Sequence, residues 1–260
     1  EEFLELPILG IIPKGIKLLP RADEDSPDAE AYRILKTNVD FNRKKLNATT
    51  FSLISGGAGE GKSTSVCNLA TSWAASGQRV LIIDGDMRRP SQHRLLEMSN
   101  RVGLGDYLRG KATLDEVILP TKVGNLYLVP AGSRSPDVVS LLSAGAMEQL
   151  IKEARERFDI IVVDSPPILG VSDASILSSL VDCSIIVVQH RRFPRAMLMR
   201  VKKTIKSIDT RAVGVVLNQV DVRHDKNYQY YTSYNQYYSE HSNGVKKQPP
   251  QLNHKVLYLE

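Results

Sequence analysis

Thr50-Phe51-Ser52-Leu53-Ile54-Ser55-Gly56-Gly57-Ala58-Gly59-Glu60-Gly61-Lys62-Ser63-Thr64 is the stretch from which the rest of the chain is read. Its first six residues are mostly apolar or β-branched and predict a buried strand. From Gly56 the sequence matches G-x-x-x-x-G-K-[ST], and a helix is predicted to follow over 62–76. A strand before and a helix after make this pattern a phosphate-binding loop rather than a glycine turn. The chemistry asks for these residue types. Glycines let backbone N–H groups turn inward as a nest for anionic oxygens, and the helix that begins at Lys62 adds its positive end. Gly57, Ala58, Gly59, Glu60, Gly61, Lys62, Ser63 and Thr64 are the candidate nucleotide-binding residues. Lys62 is expected to reach the β- and γ-phosphates, and Ser63 offers a hydroxyl to Mg²⁺. ATP and Mg²⁺ are the expected cofactors.

Outward from this loop, apolar runs alternate with amphipathic segments. Strands are predicted over 50–55, 79–84, 125–130, 159–164, 184–189 and 213–218. Helices are predicted over 62–76, 91–98, 144–158, 173–180 and 194–208. Nearly all-apolar strands are those of a parallel sheet covered on both faces. The expected fold is therefore α/β: a P-loop, doubly wound, mostly parallel sheet with helices on both faces, occupying residues 26–220. Before it, Ser26-Pro27 reads as an N-cap followed by Pro at the first helical position, opening a helix that runs to Leu46 with Tyr32, Leu35, Val39 and Leu46 on one stripe. Residues 1–25 read as an arm, and Pro7-Ile8-Leu9-Gly10-Ile11-Ile12-Pro13 within it as an edge strand bounded by prolines.

Two carboxylate sites accompany the loop. Leu81-Ile82-Ile83-Asp84-Gly85-Asp86-Met87-Arg88 and Ile160-Ile161-Val162-Val163-Asp164-Ser165-Pro166-Pro167 each place acidic residues just past an apolar strand. In a parallel sheet the ligand crevice lies at the carboxyl ends of the strands, so the three sites are expected to converge there. Ser63, Asp84 and Asp164 are the candidate metal ligands. Lys62, Asp84 and Asp86 are the candidate catalytic residues, one of the two aspartates taking a proton from an attacking hydroxyl; the spacing does not divide that role between them. Arg88 either neutralises phosphate charge or packs on its own helix. Asn218, at the end of the last strand, either pairs with the adenine base or holds a turn.

The chain of 260 residues is 42% apolar and 24% charged, which excludes a wholly disordered or disulfide-stapled protein. Its net charge of +5 suits an anionic partner without naming one. Cys67 and Cys183 lie in apolar stretches and read as buried thiols. The basic run Arg191, Arg192, Arg195, Arg200, Lys202, Lys203 and Lys206 reads as a solvated helix face, or as one that meets lipid or a neighbour's acidic surface. No apolar run approaches the ~20 residues of a membrane span.

Residues 221–260 change character and are expected to form a mobile C-terminal tail. Tyr228, Tyr230, Tyr231, Tyr234, Tyr237 and Tyr238 crowd into it without strand or helix spacing. Such a run serves as phosphate acceptors, as a sticky low-complexity segment, or as a stacking surface for single-stranded nucleic acid. The last needs interleaved basic groups, and only Arg223 and Lys226 lie close, so no nucleic-acid partner is expected.

With these motifs in order, the chain resembles the cytoplasmic catalytic domain of bacterial tyrosine kinases (BY-kinases) of the polysaccharide co-polymerase type. Residues 56–64 match its Walker A box, 81–88 its second Walker box, 160–167 its Walker B box, and the tail its tyrosine cluster. The resemblance implies an ATP-dependent protein-tyrosine autokinase that modifies Tyr228–Tyr238 and regulates capsular or exopolysaccharide synthesis and export. It implies a ring-type homo-oligomer, assembled through an E-x-x-R-x-x-R motif matched here by Glu30, Arg33 and Lys36, with Lys in the last place. The tail begins close to the domain edge, so phosphorylation is expected in trans within such a ring. The resemblance further implies a transmembrane adaptor or activator segment fused upstream, a cognate tyrosine phosphatase, and a soluble domain at the cytoplasmic face of the bacterial inner membrane. The alternative is a cell-division or partition-type P-loop ATPase acting as a nucleotide-dependent assembly switch. Those proteins carry a signature lysine at the second loop position, which here is Gly57.

Overall fold

A computed structural model describes residues 5–22, 26–133, 135, 137–208 and 210–222. Its eight strands form one sheet: β1 (Ile8–Pro13), β2 (Thr50–Ser55), β3 (Val80–Asp84), β4 (Leu119–Pro120), β5 (Leu126–Val129), β6 (Ile160–Asp164), β7 (Cys183–Gln189) and β8 (Ala212–Val220). The order is β1-β8-β7-β2-β6-β3-β5-β4, and every pairing is parallel except β4 with β5. The arm thus supplies an edge strand, with β1 paired to β8.

The helices follow from their caps. In α1 (Pro27–Leu46), Ser26 accepts a hydrogen bond from the Ala29 N–H and Pro27 takes the first position. Tyr32, Leu35 and Val39 are buried as their spacing predicts, whereas Leu46, in the last turn, is exposed. Next come α2 (Lys62–Ala75), α3 (Gln92–Leu95), α4 (Leu104–Leu108), α5 (Leu114–Val117), α6 (Val138–Ser143), α7 (Ala146–Arg155), α8 (Asp173–Ser179) and α9 (Arg195–Ser207). The helix predicted over 91–98 is a single turn, because Glu97 takes a left-handed φ of 56° and stops it. The helix predicted over 144–158 is α7, which starts after Gly145 at φ 82° and ends at Arg155. The short α4, α5, α6 and β4 were not anticipated. A T-x-x-E sequence does mark the start of α5, where Glu116 Oε2 accepts the Thr113 N–H at 2.7 Å and the Thr113 hydroxyl at 2.9 Å.

Alternate residues of each strand enter opposite layers, as pleating requires. Phe51, Leu53, Val80, Ile82, Ile160 and Val162 pack under α1 and α2. Leu81, Ile83, Ile161 and Val163 pack against α4, α6 and α7 on the other face. Ile54, Ile186 and Val215 meet α9 there through Val201 and Ile205. Covering both faces leaves the strand ends as the places where polar groups gather. Among the described residues no helix is long and apolar enough to cross a membrane.

The end at which the strands begin is tied by Asp182. Its carboxylate accepts the Thr49 and Thr50 N–H groups at 2.8 and 2.9 Å and a bidentate pair from Arg155 at 2.8 and 3.1 Å. Burial alone would raise this carboxyl. Arg155 and the two N–H groups outweigh burial and hold it down to about 2 against an ordinary 3.8. A depressed carboxyl stabilises the fold above its unfolded value and loses that contribution as pH falls through its folded value. Asp182→Asn is therefore expected to lower unfolding free energy at pH 6 by about 1–2 kcal/mol, after a discount for partial exposure. Denaturant titrations across pH should show the gap to the parent closing between about pH 4 and 2.

Candidate functional site

The loop predicted to bind phosphate connects β2 to α2 at the carboxyl end of the sheet. Its glycines are needed at specific points. Gly61 adopts φ 87°, and a Cβ there would lie 2.0 Å from Asn218 Nδ2. A Cβ on Gly57 would lie 2.7 Å from the ring of Phe193. The Glu60 side chain is buried beneath the loop, where its carboxylate accepts the Gly57 N–H at 2.8 Å and the Gln189 N–H at 3.3 Å. Burial raises that carboxyl, and the loop N–H groups pull it back.

β6 lies between β2 and β3, which brings the carboxylates to the loop. Asp84 and Asp164 are cross-strand partners in register, both fully buried. Lys62, 6% exposed, places its ammonium on Asp164 Oδ1 and 3.5 Å from Ser63 Oγ. Asp84 Oδ2 accepts the Ser91 and Gln92 N–H groups at 3.0 and 2.9 Å. Burial first, and the negative charge of Asp164 second, push the Asp84 carboxyl up to about 7. Asp86 lies nearer the surface, and its Oδ1 accepts the Arg89 N–H at 2.9 Å. The predicted residues Lys62, Ser63, Asp84 and Asp164 are thus assembled, with Asp86 on the same segment.

Three placements go beyond the sequence reading. Gln92, fully buried, donates from Nε2 to Asp164 Oδ2 at 2.7 Å and to the Ser63 carbonyl at 3.0 Å. A lone glutamine after Pro90 carries no motif, and only the predicted helix start at Ser91 hinted at its position. Arg88 does not pack on its own helix but makes a bidentate pair with Asp173 at the start of α8, at 2.6 and 3.0 Å. Asn218 donates from Nδ2 to the Glu60 carbonyl at 2.7 Å, so this donor serves the loop.

The site's donors and acceptors fit a nucleotide and a divalent cation. Asp84 Oδ1 and Gln92 Oε1 are buried acceptors with no hydrogen-bond donor, and a hard cation is bound through such oxygens. Two carboxylates and a hydroxyl suffice for Mg²⁺, which keeps waters and substrate phosphates as its other ligands.

On α1, Arg33 Nε pairs with Glu30 at 2.7 Å and Lys36 pairs with Asp40 at 3.2 Å. The cluster Tyr228, Tyr230, Tyr231, Tyr234, Tyr237 and Tyr238 lies outside the described residues.

Residues 49–218 match a family model described as an AAA domain. A relative named tyrosine-protein kinase CpsD, from Streptococcus pneumoniae, is 33% identical over 85% of this chain and 94% of its own. A putative tyrosine-protein kinase EpsB from Ralstonia solanacearum is 31% identical over 92% of this chain, which corresponds to 32% of that longer protein. Among solved structures, the kinase domain of the Escherichia coli tyrosine kinase ETK superposes with a TM-score of 0.79 at 28% identity, covering 84% of this chain and 91% of that one. The septum site-determining protein MinD of Pyrococcus horikoshii, complexed with Mg-ADP, reaches 0.57 at 26% identity, covering 65% and 69%.

Proposed function

The chain belongs to the bacterial tyrosine-protein kinases, built on an AAA domain, and from that premise we propose that it transfers the γ-phosphoryl group of ATP to Tyr228, Tyr230, Tyr231, Tyr234, Tyr237 and Tyr238 of a neighbouring copy. The observation that carries this is the in-register pair Asp84 and Asp164 beside Lys62 at the mouth of the phosphate loop. Catalysis of phosphoryl transfer is mainly positioning and charge stabilisation, and these groups supply both. The N–H groups of residues 58–64 and the Lys62 ammonium bind the phosphates, Lys62 exchanging Asp164 for them, while the Gly57 N–H stays on Glu60. Ser63, Asp84 and Asp164 hold Mg²⁺, which neutralises charge on the phosphates when bound. Asp86, nearer the surface than Asp84, is the base: the tyrosine oxygen bonds to the γ-phosphorus, the bond to the β-phosphate oxygen breaks to release ADP, and the phenolic proton passes to Asp86.

The partition-type alternative loses support at Gly57. A lysine there would drive its Cβ into Phe193. Glu30, Arg33 and Lys36 contribute to a ring of identical chains, and Lys36, which lacks the planar bidentate fork, leaves that ring weaker than a final arginine would. Each phosphate adds about −1.5 to −2 charge, so a modified tail repels its neighbours and loosens the ring. EpsB, three times as long as the stretch matched, supports a membrane segment joined upstream, at the cytoplasmic face of the inner membrane. A tyrosine phosphatase resets the cycle, in the service of capsular or exopolysaccharide synthesis and export.

The test is peptide mass spectrometry of the phosphatase-treated chain before and after Mg-ATP. Phosphate on tyrosines of 228–238, at a rate per chain that rises with protein concentration, is the expected result. ATP hydrolysis without any tyrosine gaining mass would sink the proposal.

A further inference from the structure

The segment between β7 and α9, residues 190–194, lies on the outer side of the phosphate loop. Arg192 reaches across from it. Its Nη2 donates to the Ala58 carbonyl at 2.8 Å, and its Nη1 to the Gly59 carbonyl at 2.7 Å and to Gln189 Oε1 at 2.6 Å. The guanidinium also lies 5.3 Å from the centre of the Phe193 ring. A side chain on Gly59 would meet it, since a Cβ there would be 3.1 Å from both terminal nitrogens.

We propose that Arg192 is a positioning residue for nucleotide binding, a two-pronged brace that turns the Gly59 and Glu60 N–H groups toward the phosphates by holding the preceding carbonyls outward. In a trans peptide the carbonyl of one residue and the N–H of the next point in opposite directions, and no cis bond occurs among the described residues. Holding the carbonyls of Ala58 and Gly59 on the outer face therefore turns the N–H groups of Gly59 and Glu60 inward. The same logic extends to both sides. Ser55 Oγ donates to the Gly57 carbonyl at 3.0 Å and Asn218 Nδ2 to the Glu60 carbonyl, which orients the N–H groups of Ala58 and Gly61. Four consecutive carbonyls, 57 to 60, are thus fixed, and Arg192 holds the middle two.

Those middle two are the ones that need holding. Ala58 and Gly59 are exposed, so water could satisfy their carbonyls in either orientation. Gly59, at φ 78°, is free to visit other backbone regions. Without Arg192 the inward-facing arrangement becomes one of several. A ligand that needs an arrangement populated a tenth of the time binds about tenfold more weakly.

The inference rests on the nucleotide site proposed above, and titration calorimetry with Mg-ADP on the full chain separates the two. Arg192→Ala is expected to raise the Mg-ADP dissociation constant about tenfold, with an unchanged circular dichroism spectrum. In the kinase assay its KM for ATP rises similarly, while kcat at saturation changes less than threefold by this population argument. Arg192→Lys keeps the charge but not the planar fork, and recovers less than half of the loss in binding free energy. Parent-like affinity in Arg192→Ala overturns the inference and leaves the site standing. Full recovery in Arg192→Lys overturns it in favour of simple attraction between charges. A parent chain that does not bind Mg-ADP overturns the site itself, and the inference with it.

Discussion

Lys62→Met is expected to abolish phosphate transfer to tyrosine, a loss of at least about a thousandfold, and also to destabilise the unliganded fold. The two effects have one origin. In the structure Lys62 is a buried ammonium placed on Asp164, whose other oxygen is held by Gln92. Removing the cation leaves Asp164 buried beside Asp84 with only the Gln92 amide to stabilise its charge. Breaking a buried pair from one side costs about 3–5 kcal/mol, less whatever Asp164 regains by taking up a proton. The deficit should therefore shrink as pH is lowered, and shrink again on adding Mg²⁺ if the two aspartates hold it. Thermal melts at two pH values with and without Mg²⁺ measure this part, and mass spectrometry of the tail measures the other. Tyrosine phosphorylation by Lys62→Met at the parent's rate would remove Lys62 from the chemistry.

Asp84→Asn is expected to move stability and activity in opposite directions. Asp84 is held up to about 7 by burial and by Asp164, against an ordinary 3.8. A raised carboxyl means that the folded state binds more protons than the unfolded one between these values, so its ionisation makes stability fall as pH rises across that window. Asparagine cannot ionise. Its oxygen can still accept the Ser91 and Gln92 N–H groups, and its neutral NH₂ takes the place of Oδ1, which has no donor. Unfolding titrations at pH 8 should find the variant more stable than the parent by on the order of 2 kcal/mol, and the advantage should vanish by about pH 4. Kinase activity should fall at least about a hundredfold through loss of a cation ligand. A variant that is both less stable at pH 8 and fully active would refute the placement of this carboxylate.

The parts of the fold legible in the sequence are those fixed by short-range pattern. The phosphate loop announces itself because left-handed backbone at Gly59 and Gly61 and an anion nest both demand glycine. Ser26-Pro27 sets the start of α1 for a similarly local reason, a side-chain oxygen meeting an N–H three residues on. Asp84 and Asp164 could be placed together because each ends an apolar run, and in a parallel sheet the run-ends converge. What local pattern does not carry is the partner of a single polar side chain. Gln92 spans 72 positions to Asp164, and Arg192 spans 133 to Gly59. Nothing near either residue in the chain marks these contacts. Arg192 is visible in the sequence only as one charge in a basic run, and Arg88 pairs with Asp173 rather than packing on its own helix. The boundary errors have the same character. The helix over 91–98 fails where Glu97 turns left-handed, although its composition remains permissive.

The contact between Gly57 and Phe193 also has a consequence for how this protein can drift over evolutionary time. The two residues lie 136 positions apart, yet they are coupled: a side chain at 57 meets the end of the Phe193 ring, which must then swing aside or be replaced. The pair should therefore covary. A descendant acquiring lysine at 57, the feature that distinguishes partition-type ATPases, must re-seat or shrink residue 193. The route between the two kinds of P-loop protein then passes through the segment that also carries Arg192, so a lineage that makes the exchange alters the immediate neighbour of the side chain on the Ala58 and Gly59 carbonyls.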